Sequence, residues 1–272
     1  MSKKMIPVER RQQILNYLLQ HGVAKSSTLM ELFDSSEATI RRDLEWLERH
    51  GMIEKTHGGA ILIQRMQKEA IYSASASVHQ QEKKWIARAA VQLIEDGDMV
   101  FINNGTTTTE ALIALQHRTD VHDITVVTNN VSAVMALQDA EFKIILLGGL
   151  FRPRSTSIVG NFATNNLRQI YANKAILGVD GIANRFGCTS PIAEEAEIGR
   201  LMIDQCFGQT ILVADHSKWG VIAQYRIASI DELDVFVCDN ALPQEALDSL
   251  QDNETEVILA GPEILRTVNT SS

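Results

Sequence analysis

The 272-residue sequence is poor in the residues that mark specialised classes. Its three cysteines, Cys188, Cys206 and Cys238, lie too far apart for a C-x-x-C pair. An odd number in a chain this long suits a reducing compartment. With 5 prolines and 16 glycines it is neither collagen-like nor of low complexity. No apolar run approaches the ~20 residues of a spanning helix. The stretch Met1 to Pro7, leading into Glu9-Arg10-Arg11, lacks the apolar region of a secretory signal. Zinc spacings and H-E-x-x-H are missing, so neither a metal nor a cofactor is expected. Together these absences predict a cytoplasmic protein with no membrane partner. Positive charge is short as well: 25 Lys and Arg stand against 34 Asp and Glu, for a net −9. A uniform body of that charge would avoid nucleic acid.

The charge is not uniform. Residues 1–65 hold ten basic and eight acidic side chains, for +2, whereas residues 66–272 hold fifteen and twenty-six, for −11. Length alone favours two domains, and the asymmetry places a boundary near Arg65. The organisation read from the sequence is a first domain at 1–65, a linker at 66–81 and a second domain, of α/β class, at 82–272.

In the first part, Ile14, Leu15, Leu18 and Leu19 recur at helical spacing between Pro7 and Gly22. Thr28-Leu29-Met30-Glu31 carries the S/T-x-x-E capping pattern of a second short helix. A third follows Asp34-Ser35-Ser36-Glu37, with Ile40, Leu44 and Leu47 on one face and Gly51 at its end. A turn of a few residues between the last two fits a helix-turn-helix. Two β-prone runs around Gly58-Gly59 then read as a hairpin, the wing. Ser36, Thr39, Arg41 and Arg42 crowd the first turns of the third helix, where a recognition helix meets base edges and phosphates. Lys55 and His57 on the wing are placed for backbone or minor-groove contact. An isolated Arg pair would sooner form ion pairs with Glu37, Asp43 or Glu45; three short helices and a wing around it shift the reading to double-stranded DNA.

Ser36-Glu37-Ala38-Thr39-Ile40-Arg41-Arg42-Asp43-Leu44-Glu45-Trp46-Leu47, followed by Thr56-His57-Gly58-Gly59-Ala60, closely resembles the N-terminal motif of DeoR-type bacterial transcription regulators. The resemblance implies a winged helix-turn-helix that binds operators as a dimer or higher oligomer. Between the two parts, Gln64 to Gln81 reads as a connector with serines among alanines. Relatives usually carry an Arg there ahead of a Glu-Lys pair; here Glu82-Lys83 stands without it.

From Glu82 strands and helices alternate, and each strand is nearly all apolar, which indicates a largely parallel sheet covered on both faces. Ligands of such sheets sit at the carboxyl ends of strands. Those ends are polar here: Asn103-Asn104-Gly105-Thr106-Thr107-Thr108-Thr109, Thr128-Asn129-Asn130, Gly148-Gly149-Leu150-Phe151-Arg152, Val179-Asp180-Gly181 and Asp215-His216-Ser217-Lys218. Each alone is an ordinary turn or cap. Together they predict a phosphorylated, hydroxyl-rich ligand. Asn103 would stand at the cleft and Gly105, Thr106, Thr107 and Thr108 would cradle the phosphate. Lys218 or Arg152 would supply counter-charge, with Asn129 and Asp180 toward sugar hydroxyls and Gly149 in the adjoining loop. This part also resembles the DeoR-type sensor domain, whose fold is similar to that of ribose-5-phosphate isomerase. The resemblance implies a sugar-phosphate effector that modulates operator binding. Relatives usually carry an Asp where Asn103 stands.

The expected function is a regulator, and more specifically a repressor, of a carbohydrate-utilisation operon, working as a homodimer or homotetramer. Two alternatives compete. A sugar-phosphate isomerase carrying a DNA-binding domain needs a carboxylate or other base beside the phosphate cradle, which Asn103 and Asn104 are not. Glu194, Glu195 and Glu197 read as one exposed helix segment, with Glu194 nearest a strand-end loop. An architectural DNA-binding protein would need more positive charge and has no use for a ligand-lined sheet. The tail from Gly261 to Ser272 reads as a frayed end.

Overall fold

The computed structural model describes residues 5–56, 58–66, 69–137, 139–262 and 266–268. The winged head comprises α1 (Pro7–His21), β1 (Val23–Lys25), α2 (Ser26–Leu32), α3 (Glu37–Arg49), β2 (Ile53–Thr56) and β3 (Gly59–Leu62). Its three strands are ordered β1-β3-β2. Ile14, Leu18, Leu29, Ile40, Leu44, Leu47 and Ile53 are buried in one cluster, as the helical spacing predicts, although Leu19 is 67% exposed. The capping pattern expected at Thr28 does not form, because α2 already begins at Ser26. Nothing in the periodicity marks β1. It forms through tertiary pairing that requires Gly59, where a Cβ would stand 2.0 Å from the Ala24 carbonyl oxygen.

Charge also fixes the head. Asp43, within the Arg-Arg-Asp motif, is buried and accepts Nε bonds from Arg10 at 2.5 Å and Arg11 at 2.8 Å. The Arg11 guanidinium lies 4.5 Å above the Trp46 ring. Asp43 thus ties α1 to α3. Removing one member of such a buried cluster costs about 3–5 kcal/mol, since the remaining charges lose their partner.

Beyond the wing come β4 (Gln64–Arg65), α4 (Tyr72–Ser77) and α5 (Gln80–Ala90). The sensor continues through β5 (Met99–Ile102), α6 (Thr106–Gln116), β6 (Thr125–Thr128), α7 (Val131–Ala136), β7 (Lys143–Leu146), β8 (Leu150–Arg152), β9 (Ser157–Val159), α8 (Asn161–Leu167) and β10 (Ala172–Gly178). It ends with β11 (Gly181–Ala183), β12 (Gly187–Ser190), α9 (Ala193–Asp204), β13 (Cys206–Val213), β14 (Val221–Ile222), β15 (Tyr225–Ala228), β16 (Val235–Asp239), α10 (Gln244–Asp252), β17 (Glu256–Ala260) and β18 (Arg266–Val268). The main sheet has the order β18-β17-β16-β13-β10-β5-β6-β7. Its pairings are parallel except β17 with β18. The tail therefore supplies an edge strand where the sequence suggests fraying.

Successive residues of β5 serve opposite faces. Val100 and Ile102 pack with Ile86, Leu112 and Leu115, while Phe101 packs with Leu177, Leu201 and Met202 on the other side. From β5 the chain moves outward to β6 and β7, then returns to β10 on the far side of β5. Strand order reverses between β5 and β10, and open α/β sheets open a crevice at such a point.

The head is held against the sensor. β4 pairs in parallel with β14. Glu54 on β2 is buried, and its carboxylate accepts the backbone N–H of Asn184 at 3.0 Å and of Arg185 at 2.7 Å. Burial raises the Glu54 pKa, and the two N–H donors oppose that rise.

Candidate functional site

On the head, α3 carries Ser36, Thr39, Arg41 and Arg42 at its start, away from the face that buries Ile40, Leu44 and Leu47. Ser36 Oγ and Thr39 Oγ1 share a hydrogen bond of 3.0 Å. Arg41 lies 3.8 Å from Glu45 at an exposed i,i+4 spacing, and Lys55 Nζ reaches the same Glu45 oxygen at 3.7 Å. Such solvated pairs are worth roughly 0–1 kcal/mol and yield to a phosphate. Arg42 is exposed and makes no ion pair among the described residues. Asp43, one of the acids open to the Arg pair in the sequence, is taken by Arg10 and Arg11. Ser36 and Thr39 are thus joined to each other, Arg41 and Lys55 meet at Glu45 and Arg42 stands exposed, while His57 lies outside the described residues.

On the sensor, a cleft opens at the switch point between β5 and β10. Asn103, Gly105, Thr106, Thr107, Asp180 and Lys218 all line it, joined by Glu69, Tyr72, Ser75, Asn104, Ser155, Ser190 and Glu195. Asn103 clamps the two strands: its Nδ2 donates to the Gly178 carbonyl at 2.8 Å, and its Oδ1 accepts the Gly178 N–H at 2.8 Å. An ionised Asp could accept but not donate, so the amide here completes a bond that a carboxylate would lose. Gly105, at φ 149°, adopts a backbone that favours glycine and opens α6 into the cleft. The helix N-terminus then points free N–H groups at the space a phosphate would fill.

The cations differ from one another. Lys218, in the turn after β13, forms no ion pair among the described residues, and Asp215 instead accepts the Ser217 N–H at 3.1 Å. Arg152 is engaged: its Nη2 lies 2.9 Å from Glu69, and its Nε lies 3.3 Å from Glu195. Asp180 accepts from Ser190 Oγ at 3.2 Å. Burial pushes the Asp180 carboxyl above the usual range, with Lys218 pulling it back.

Arg152 does not line the cleft itself but pairs with two residues that do, Glu69 and Glu195, and three further expected residues stand elsewhere. Thr108 is fully buried beneath the loop, its hydroxyl donating to the Gly105 carbonyl at 3.1 Å. Asn129 is also buried, and its Nδ2 steadies Asn104 at 3.1 Å and the Ile158 carbonyl at 3.0 Å. Gly149 packs under the β8–β9 hairpin, where a Cβ would meet the Val159 carbonyl at 2.7 Å. Glu195, read as part of an exposed segment, is buried and accepts from Ser157 Oγ at 3.0 Å, whereas Glu194 and Glu197 are exposed.

The sequence gives no sign that the linker enters the cleft. Glu69, Tyr72 and Ser75 do so because α4 lies across the start of α6. Tyr72 donates to Thr109 Oγ1 at 2.7 Å, and Lys83 Nζ donates to the carbonyls of Ser75 and Val78 at 2.6 Å each. Burial lowers the Lys83 pKa, with Asp215 opposing. The one available signal is the Glu82-Lys83 pair, whose lysine closes the end of α4.

Comparison with known proteins agrees with this layout. The DeoR-like helix-turn-helix domain matches residues 10–66, and the DeoR C terminal sensor domain matches residues 78–240. The HTH-type transcriptional repressor GlcR of Bacillus subtilis is 34% identical over 256 residues, covering 94% of this chain and 97% of its own. An HTH-type transcriptional regulator of Haemophilus influenzae is 31% identical over 260 residues, covering 95% and 100%. A ribose 5-phosphate isomerase from Methanocaldococcus jannaschii aligns over 52% of this chain and 55% of its own, with 14% identity and a TM-score of 0.39, and carries no argument at that level. No helix among the described residues is long and apolar enough to cross a membrane. The chain belongs to the DeoR family of transcriptional regulators and is a DNA-binding regulator, not an enzyme.

Proposed function

We propose that this regulator is a cytoplasmic repressor of a carbohydrate-utilisation operon, released from its operator by a phosphorylated sugar. The observation that carries the reading is Lys218, without an ion pair among the described residues, beside the Gly105–Thr107 helix start in a cleft whose polar lining is hydroxyls, amides and carboxylates. A phosphate meets N–H groups and a cation there, while sugar hydroxyls meet Asp180, Ser190 and Asn104. Two heads, in a homodimer or homotetramer, read repeated half-sites of double-stranded operator DNA.

The linker is the route between the sites. Glu69 pairs with Arg152, and the Glu69 backbone carbonyl accepts from Arg154 Nη2 at 2.6 Å. An incoming anion competes with Glu69 for Arg152, and the segment so loosened continues through β4 into the wing. The effector shifts operator affinity only by its differential affinity for the two linker states. The test is fluorescence anisotropy on the DNA upstream of the gene, titrated with protein and then with a panel of sugar phosphates and free sugars. Release by one phosphate ester is expected, with Lys218→Ala abolishing release while leaving DNA binding intact. Release that persists in the variant removes the lysine from the site, and indifference to every phosphate ester removes the class of effector.

A further inference from the structure

The sensor body is acidic overall, and one sheet edge is not. Residues 131–162 carry three basic and two acidic side chains, for +1, whereas the rest of 82–272 carries eleven and twenty-three, for −12. The same stretch holds Met135, Ile145, Leu146, Leu150, Phe151 and Phe162, all exposed. They lie on contiguous elements: β7 is the last strand of the main sheet, β8 follows it directly, β8 pairs with β9, and β9 packs on α7 and α8.

Nothing else in the fold accounts for this surface. Phe162 is 79% exposed and Met135 80%. Together the six side chains expose the equivalent of about three and a half whole residues, roughly 700 Å² at about 200 Å² each. A stable protein–protein interface buries roughly 800 Å² per partner, and apolar patches of this extent mark interfaces. β7 also leaves its outer backbone groups without a strand partner among the described residues. Soluble proteins ordinarily shield such an edge with charge, proline or a covering element. Here the strand presents Ile145 and Leu146, and Lys143 is its one charge.

We propose that this edge is where a second copy of the chain docks, joining two sensor sheets across a two-fold axis. A second copy fits better than a different partner on charge. Two sensors of net negative charge repel each other where their acidic stretches meet, and this near-neutral edge brings them together without that penalty. The same hairpin ends at Arg152, which holds Glu69 in the cleft, so the subunit contact and the effector site share one rigid piece.

The inference rests on the reading of a two-headed regulator, and its test needs neither DNA nor effector. The full chain is examined by light scattering after size exclusion and by sedimentation. The expected result is an assembly of two chains, or a multiple of two, whose mass halves in the double variant Leu150→Glu, Phe151→Glu. Phe162→Ser trims an exposed ring that supports no core, and weakens the assembly about tenfold; Phe207→Glu, on an exposed site far along the chain, leaves it unchanged. A wild-type monomer, or an unchanged mass in the double variant, overturns the docking surface. A protein that assembles here yet ignores sugar phosphates breaks the effector reading alone.

Discussion

The head and the cleft both hold cations ready for an anion, but they keep them ready by opposite means. On α3, Arg41 and Arg42 stand in solvent, Arg41 loosely countered by Glu45. Water screens them, so readiness costs little and specificity must come from the fit of the helix to the groove. In the cleft, Lys218 lies beside a buried carboxyl, and Arg152 is fully committed to Glu69 and Glu195. There an anion that takes Arg152 has to displace Glu69. A surface built to bind needs exposed charge, whereas a surface built to report needs charge whose present partner can move.

Variants sharpen that contrast, beginning with the largest effect. Asp43→Ala should cost the head about 3–5 kcal/mol by stranding Arg10 and Arg11. A lower first transition in thermal unfolding, with operator binding lost, checks it; an unchanged melt would show that α1 and α3 are held by packing alone. Arg42→Ala should cost about 1–3 kcal/mol in operator affinity if it reads a base, or reduce the salt slope by about one if it meets phosphate. Effector affinity by calorimetry should not change.

Two smaller effects belong to the cleft. Asn103→Asp sets an acceptor against the Gly178 carbonyl and should lower sensor stability by about 1–3 kcal/mol, the usual cost of an unmet buried partner. Asp180→Asn should stabilise the sensor at neutral pH. The folded-state pKa of Asp180 is raised, so its ionisation opposes folding as pH climbs from the ordinary carboxyl range through that raised value. The advantage of the variant should therefore shrink as pH falls, and a gap constant from pH 4 to 8 would rule burial out as the cause.

Sequence and structure agree where local pattern decides. Ile40, Leu44 and Leu47 announce their face of α3 by spacing, and apolar strands such as β5 announce a covered sheet. The cleft was half legible, because strand ends are visible in sequence but their neighbours are not. Asn103, Gly105 and Asp180 fall at strand ends and could be named; Glu69, Tyr72 and Ser75 arrive from a segment without periodicity, placed by Lys83 and Thr109. Thr108 and Asn129 carry the same residue types as true cleft residues, yet packing turns them inward, and Gly149 lies against the β8–β9 hairpin instead. The roles of Asp43 and Glu54 were invisible for a related reason: a charged residue on a helix or wing reads as solvated until its buried partners are in place.

The central claim is that the linker reports the state of the cleft to the head, and it can be tested without knowing the effector. Glu69→Gln removes the charge that holds Arg152 while keeping the backbone carbonyl that Arg154 grips. The decisive measurement is the operator affinity of this variant against wild type, by anisotropy in the absence of any ligand. The account predicts weakening of about 5–150-fold, the range of a typical coupling free energy. Wild-type affinity in Glu69→Gln would contradict it, because the linker contact would then make no difference to the head.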